Sequence, residues 1–187
     1  MTNQEAETTP VLDSNQIFIN LPQYQLWDFA GVDGLHFAKT LVGDAAGKIA
    51  AFQSIETTFG EYPCSLLRLG EGNFRIGLHG DSGAFEDAII STLSTYRRVW
   101  VRRCEGISAI AFLDSAGLDL LPKIAITKLP YRLAGLALNC AVPARITGIS
   151  VLIWRHPLLG NTAFELHTAA RDTEAVKAKV WALDKFF

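Results

Sequence analysis

Apolar and polar side chains alternate along much of the chain, a pattern typical of β-strands with one buried face. Two short segments that contain glycine and asparagine, residues 69–73 (LGEGN) and 159–161 (LGN), predict hairpin turns between neighbouring strands. The full set of predicted strands is 48–55, 65–69, 74–78, 97–103, 107–113, 132–138, 149–155 and 164–168.

Helical spacing of apolar residues replaces this alternation in three places. The first helix follows Asp81 or Ser82, either of which is a typical N-cap residue. A short second helix, with Asp114 or Ser115 as its N-cap, runs to residue 123. The third helix covers residues 172–183 at the end of the chain.

Two segments of the chain resemble each other in this pattern. Residues 65–80 (SLLRLGEGNFRIGLHG) and 150–170 (SVLIWRHPLLGNTAFELHTAA) each read as a strand, a glycine-containing turn and a second strand, and each leads into an amphipathic helix. We therefore predict an α+β fold with two similar β-β-α halves, in which helices pack on one face of antiparallel sheet.

Composition adds a prediction about the surface and the domain organisation. The 187 residues are 49% hydrophobic and only 19% charged, against about 25% charged in typical soluble domains. This shortage of charge favours a surface that a partner buries. Residues 1–15 are polar and predict a flexible or partner-bound arm, and residues 16–187 predict a single domain.

The net charge and the cysteines exclude several classes. A net charge of −2 gives no overall field for nucleic-acid binding, and no apolar run approaches the roughly 18 residues of a membrane helix. Three cysteines without a CxxC pair indicate reduced thiols rather than a disulfide framework. With no signal peptide pattern at the start, we expect a cytoplasmic protein.

The candidate chemical motifs are all weak. The GDSG segment at residues 80–83 matches a serine-protease nucleophile in letters only, and a helix start explains it better. The four histidines form no metal-binding spacing, so we expect hydrogen-bonded structural or surface groups. Cys64, Cys104 and Cys140 lie in apolar surroundings typical of inert thiols. We predict no catalytic, cofactor-binding or metal-binding residue on this chain.

One cluster of charge stands out as a candidate partner interface. In strand geometry Arg98, Trp100 and Arg102 lie on one face, and Arg and Trp are both enriched at protein interfaces. The alternative is a solvated face on which Trp100 packs under arginine stems. The sequence favours neither interpretation over the other.

The second half of the chain resembles the glycine-cleavage T-protein (aminomethyltransferase) superfamily. Residues 107–121 (ISAIAFLDSAGLDLL) are similar to its strand-then-helix signature. The family segment R-T-G-Y-T-G-E-D-G-F-E-L aligns without a gap with residues 155–166 (RHPLLGNTAFEL). The matching positions are Arg155, Gly160, Phe164, Glu165 and Leu166.

At two positions the chain differs from the family segment in a way that weakens the resemblance to its folate-binding members. The family tyrosine is replaced by Leu158, and the acidic residue that folate-binding members place toward the pterin is replaced by Asn161. A short member with these changes is similar to the gamma subunits of heterotetrameric sarcosine oxidases. That similarity covers roughly residues 60–187, including a hairpin at residues 68–74.

This resemblance implies a role and a set of partners. It implies an accessory, non-catalytic subunit of an oxidoreductase complex that oxidises N-methyl amines, with larger flavin-binding alpha and beta subunits and a small delta subunit. FAD, FMN, NAD, tetrahydrofolate and zinc would then be held by those partners. Two alternatives stay open: a free-standing folate-binding or one-carbon transfer protein, and a self-associating α+β interaction module.

Overall fold

The computed structural model describes residues 18–21, 23–80 and 82–184. Its strands are β1 (Phe18–Ile19), β2 (Tyr24–Gly31), β3 (Ser54–Phe59), β4 (Tyr62–Arg68), β5 (Asn73–His79), β6 (Val99–Arg103), β7 (Ile107–Leu113), β8 (Ala125–Thr127), β9 (Cys140–Ile146), β10 (Ile149–Leu158) and β11 (Asn161–Ala169). Its α-helices are α1 (Gly34–Val42), α2 (Ser82–Leu93), α3 (Asp114–Ile124) and α4 (Thr173–Asp184). The predicted arm, residues 1–15, lies outside the described residues.

The described strands form two antiparallel sheets. The first sheet has the order β3-β4-β5-β2-β6, and the second has the order β1-β7-β11-β10-β9-β8. Each contains a tight hairpin at its centre, β4–β5 and β10–β11, where the predicted glycine-containing turns lie. The hairpin and turn predictions are therefore confirmed.

Helices cover one face of each sheet, as predicted. On the first sheet, apolar residues of β2, β4 and β5 share a core with α1 and α2, in which Phe29 packs against Phe37 of α1 and Trp27 against Phe85 of α2. On the second sheet, Ile153 and Phe164 share a core with residues of α3 and α4 such as Leu121 and Val176. We call these the outer faces. The other faces, which we call the inner faces, meet each other.

The predicted β-β-α repeat is confirmed, and it extends further than the sequence indicated. The units β4-β5-α2 and β10-β11-α4 are each preceded by a strand and a helix, β2-α1 in the first half and β7-α3 in the second. In both sheets the hairpin lies beside that preceding strand, because β5 pairs with β2 and β11 pairs with β7. The mixed α+β architecture therefore consists of two similar halves joined through their inner faces.

Two strand predictions were wrong. Residues 132–138 form an irregular loop, in which Leu133 and Leu136 are buried in the second core. Their apolar spacing reflects a loop that folds over the core rather than strand pairing. The segment 48–55 becomes a strand only at Ser54, after a turn that contains Phe52 at φ 61°. The elements β1, β2, α1, β8 and β9 were not predicted.

The start of α3 also differs from the prediction. Asp114 is the first residue of the helix rather than its N-cap, and the cap position is Leu113. The Asp114 carboxylate instead accepts two hydrogen bonds from Arg155, from Nε at 2.7 Å and from Nη2 at 2.8 Å.

No helix of the described residues is both long and apolar enough to cross a bilayer.

Candidate functional site

The inner faces carry a polar network between the two sheets. Strand alternation places Glu165 and His167 of β11 on one face together with His156 of β10. On the first sheet, Asp28 of β2 lies directly opposite Arg75 of β5. All five side chains are buried, which is unusual for charged residues unless they are paired.

Glu165 lies at the centre of this network and is 0% exposed. Its carboxylate accepts hydrogen bonds from Tyr24 Oη at 2.9 Å, from His156 Nε2 at 2.9 Å and from His167 Nε2 at 2.5 Å. Burial alone raises the pKa of Glu165, but His167 and His156 outweigh that effect and hold the pKa far below its ordinary value. The residue is therefore a buried carboxylate with three donors.

His156 lies between two carboxylates. Its Nε2 faces Glu165, and its Nδ1 is 3.3 Å from Glu56 Oε1. Burial lowers the pKa of His156, whereas the hydrogen bonds to Glu165 and Glu56 raise it, and the result is a pKa of about 9. Both ring nitrogens then donate, so the residue is an imidazolium at neutral pH. The Trp154 ring stacks on it at 3.8 Å between centroids.

Arg75 joins the network to the second half of the molecule. It donates from Nε at 2.6 Å and from Nη2 at 2.8 Å to the two oxygens of Asp28, and from Nη1 at 2.9 Å to His167 Nδ1. An arginine can only donate, so His167 Nδ1 accepts and His167 Nε2 carries the proton given to Glu165. Burial, together with the charge of Arg75, keeps the pKa of His167 below its ordinary value.

A glycine makes room for the tyrosine of the network. Gly77 lies on β5, and a Cβ built on it would lie 2.0 Å from Tyr24 Oη. The hydroxyl that donates to Glu165 therefore occupies the space that any other residue at this position would fill. Burial and the nearby Glu165 raise the pKa of Tyr24 well above its ordinary value, so the hydroxyl keeps its proton.

The chemistry open to this network is limited by its burial. A general acid or base must reach the substrate within hydrogen-bond distance or through one water. His156 and Glu165 are fully buried, and the ring nitrogens of His156 and both carboxylate oxygens of Glu165 already have partners. The arrangement supports a role in joining the two sheets.

A cleft of about 590 Å³ opens beside the network, along the inner face of the second sheet. Arg75 and His167 lie where it meets the network. Its other lining side chains include those of Ile126, Lys128, Arg145 and Leu152.

The structure locates the predicted interface residues on and beside one edge strand. Trp100 and Arg102 lie on the same face of β6, and the Arg102 guanidinium is 5.3 Å from the centroid of the Trp100 ring. Trp100 is 50% exposed. Arg98 precedes the strand and donates from Nη2 at 3.0 Å to Asp33 Oδ1. Whether this face binds a partner stays a prediction.

The other motifs occupy ordinary positions. Within the GDSG segment, Ser82 begins α2, in agreement with the prediction of a helix start, and Asp81 lies outside the described residues. Burial raises the pKa of the Cys64 thiol to about 12 and that of Cys104 to about 11, as expected for unreactive thiols. Within the described residues, no group of three histidine, cysteine or acidic side chains is arranged to hold a metal ion.

Sequence reasoning did not identify the network as a site. His156 and His167 were predicted as hydrogen-bonded structural groups or surface groups, and the structure places both in hydrogen bonds. Glu165 was noticed only as part of the matched motif, although a glutamate among buried residues of a predicted strand was a usable signal. Arg75 and Asp28 are 47 positions apart in the sequence, and nothing local indicates their pairing.

No protein-family model matches the chain, and no curated protein matches it. Among solved structures, the chain is similar to the glycine cleavage system aminomethyltransferase T from Bartonella henselae, with a TM-score of 0.68 and 15% identity. This match covers 87% of the chain but only 44% of the aminomethyltransferase.

A second match is to a chain of the heterotetrameric sarcosine oxidase from Corynebacterium sp. U-96, solved in complex with pyrrole 2-carboxylate. The TM-score is 0.60, the identity is 19%, and the match covers 90% of this chain and 83% of that chain. The two comparisons establish a T-protein-like fold, and at these identities they establish the fold alone. The fold predicted from the resemblance is confirmed.

Proposed function

We propose that this chain is an accessory subunit of a sarcosine oxidase-type flavoenzyme complex that oxidises N-methyl amines. One observation carries the proposal. The fold matches a chain of a heterotetrameric sarcosine oxidase over nearly the whole of both chains, 90% of one and 83% of the other. The aminomethyltransferase is more than twice as long as the part that matches, so the similarity in overall size favours the oxidase chain.

The geometry between the sheets supports a non-catalytic role for this chain. Glu165, His156 and His167 are buried and bonded to one another, so they have no free acid or base function to offer a substrate. Oxidation would then occur on flavin-binding alpha and beta partner subunits, which would carry FAD, FMN, NAD and tetrahydrofolate. A small delta subunit would hold zinc.

The exposed apolar surface supports a docking role. Trp100 is half exposed, and in the described part of the chain the large apolar side chains with at least half of their surface in solvent are Val32, Ile90, Trp100, Ile126 and Leu129. Tryptophan with a neighbouring arginine is typical of the residues that dominate interface energies. We therefore assign the face of Arg98, Trp100 and Arg102 to partner contact.

Co-expression of this chain with the genes that neighbour its own gene tests the proposal. We expect the tagged chain to co-purify with a flavin-containing protein in fixed stoichiometry, and the isolated complex to oxidise sarcosine or a related N-methyl amine. The variant Trp100→Ala should weaken that assembly about tenfold or more, whereas Trp181→Ala, a partly exposed tryptophan on α4, serves as a matched control. Purification of a stable, monodisperse chain with no flavoprotein would contradict the proposal.

A free-standing folate-binding protein is the second candidate, because the fold is also that of an aminomethyltransferase. The residues fit this candidate poorly. The position of the acidic residue in the folate-binding members is Asn161, which is exposed and donates to the carbonyl of Leu159 at 3.3 Å in the hairpin turn. Calorimetric titration of the isolated chain with tetrahydrofolate separates the candidates, since the subunit role predicts no measurable heat of binding.

A further inference from the structure

The inner face of the second sheet extends beyond the part that the first sheet covers. Among the described residues that line the cleft, Arg75 alone comes from the first sheet. The remaining wall includes two cross-strand pairs of the second sheet, Ile107 with Ala169 and Leu152 with His167. The cleft is therefore an uncovered continuation of the surface through which the two halves join.

The charge along this cleft has one sign. Arg75, Lys128 and Arg145 line it, and no carboxylate is among the described residues of its wall. Asp28 neutralises Arg75, but neither Lys128 nor Arg145 is in an ion pair within the described part of the chain. Arg75 also uses three of its five N–H groups in the hydrogen bonds described above. The cleft therefore attracts anionic groups.

One residue of the predicted interface lies on the same face of the first sheet as the arginine of the cleft. Arg102 of β6, Asp28 of β2 and Arg75 of β5 are direct cross-strand neighbours on that face. Burial raises the pKa of Asp28, but Arg75, Cys104 and Arg102, in decreasing order of effect, hold it below its ordinary value. The Trp100 face and the cleft therefore lie toward the same side of the first sheet.

The apolar rim of the cleft favours a protein segment as the occupant. Ile126, which lines the cleft, is 76% exposed, and Leu129, which follows the same edge strand outside the cleft wall, is 84% exposed. A small ligand sits in a concave pocket that buries most of its surface, and a residue as exposed as Ile126 would gain little from it. A partner segment that extends from the cleft past the end of β8 would bury both residues.

We propose that the cleft is the docking site for an acidic segment with apolar side chains, supplied by the flavoprotein partner of this chain. The inference rests on the proposed function and adds the place and the chemistry of the contact. Apolar side chains of the segment pack on Ile126 and Leu152, and its carboxylates pair with Lys128 and Arg145. Electrostatic complementarity of this kind fixes partner choice and speeds association.

Charge reversal in the cleft tests the proposal within the assembled complex. The double variant Lys128→Glu/Arg145→Glu is compared with Lys48→Glu/Lys179→Glu, which changes net charge equally at exposed positions outside the cleft. We expect the cleft variant to bind the co-purifying flavoprotein at least about tenfold more weakly and the control to stay within about twofold. Added salt should weaken the wild-type complex and leave the cleft variant nearly unchanged.

A photo-crosslinking residue in place of Ile126 identifies the segment itself. We expect the crosslinked peptide to come from the flavoprotein and to combine Asp or Glu with apolar residues. A peptide rich in Lys or Arg would overturn the assignment. Circular dichroism and thermal unfolding show whether each variant is folded. If the charge-reversed chain is unfolded, the flavoprotein binding of the neutral double variant Lys128→Gln/Arg145→Gln is compared with that of the control variant instead.

The outcomes separate this inference from the proposed function. If the wild-type chain assembles with a flavoprotein and the cleft and control variants bind equally well, the cleft is not the docking site, and the proposed function stands. If no flavoprotein assembles with the wild-type chain, both the assignment of the cleft and the proposed function are wrong. If native mass spectrometry of the purified chain finds a small organic anion that the cleft variant loses, a small ligand is the occupant and the proposal is overturned.

Discussion

Glu165 is a carboxylate that has lost all contact with solvent, and its stability in that position depends on its donors. Tyr24, His156 and His167 supply three hydrogen bonds to its two oxygens. A buried charge without such partners costs several kcal/mol. The residue therefore ties together β2, β10 and β11, and any change in its charge affects both sheets.

Glu165→Gln keeps the shape of the side chain and removes the charge. We expect a loss of about 3–5 kcal/mol in the free energy of unfolding, because the imidazolium of His156 loses its buried counter-ion. Urea unfolding followed by tryptophan fluorescence measures the loss. Glu174→Gln, at an exposed glutamate paired with Lys177, should cost less than about 0.5 kcal/mol. Equal effects of the two variants would show that the buried charge has no special role.

Gly77→Ala places a methyl group where the Tyr24 hydroxyl lies. We expect a cost of about 1–3 kcal/mol, since the tyrosine must move and its bond to Glu165 is lost. The same change in a Tyr24→Phe background should cost less, because the nearest atom is then missing. Gly106→Ala, with nothing within 4 Å of the added Cβ, is the control. A cost that is the same in both backgrounds would contradict this account.

At the scale of elements, one arginine links a strand to a helix and a loop. Arg155 of β10 pairs with Asp114 at the start of α3 and donates from Nη1 at 2.6 Å to the carbonyl of Leu136. An acid at a helix N-terminus is also favoured by the helix dipole. The arginine therefore holds the 132–138 loop and α3 against the second sheet.

Arg155→Lys tests that link. Lysine keeps the charge but cannot donate to both oxygens of Asp114 and to the Leu136 carbonyl in one planar arrangement. We expect a loss of about 1–2 kcal/mol in unfolding free energy and faster amide hydrogen exchange in α3 and the loop. Exchange rates in α1, on the other sheet, should not change. Faster exchange throughout the molecule would point to global destabilisation instead.

At the scale of the whole molecule, the network makes stability depend on pH. The pKa of His156 rises from an ordinary value of about 6.5 to about 9 on folding. Its protonation therefore contributes fully to stability below about pH 6.5, and the contribution, on the order of 3 kcal/mol, is lost as the pH rises through about 9. His167 acts in the opposite direction, since its lowered pKa removes stability as the pH falls below about 6.5.

Urea unfolding between pH 6 and pH 9.5 measures the predicted loss of stability at alkaline pH. We expect the free energy of unfolding to fall across this interval in the wild-type chain. In Glu56→Gln the pKa of His156 should lie lower, because one of its two carboxylate partners is gone, and the fall should begin at lower pH. Nuclear magnetic resonance titration of the His156 ring gives the pKa directly. A flat stability profile would contradict the buried imidazolium.

The sequence determined more about the second half than about the first. The hairpins, α2, α3 and α4 follow from local periodicity and turn residues, because both depend on near neighbours in the chain. The motif around residues 155–166 contained Arg155 and Glu165, which the structure places in a partly buried and a fully buried ion pair, respectively. The strand prediction at residues 132–138 was wrong because Leu133 and Leu136 are apolar residues of a buried loop, and a buried loop and a strand can have the same apolar residues.

The sequence by itself determined the hairpin-then-helix unit of each half and the packing of helices on one face of the sheet, since alternation and helical spacing are properties of neighbouring residues. Only the tertiary structure decided that the two inner faces meet, that Asp28 pairs with Arg75, and that a basic cleft stays uncovered beside them. The contacts between the inner faces join residues from opposite halves of the chain, and Asp28 and Arg75 lie 47 positions apart within the first half. The free energy of all these contacts depends on burial and distance, which exist only once both sheets have packed.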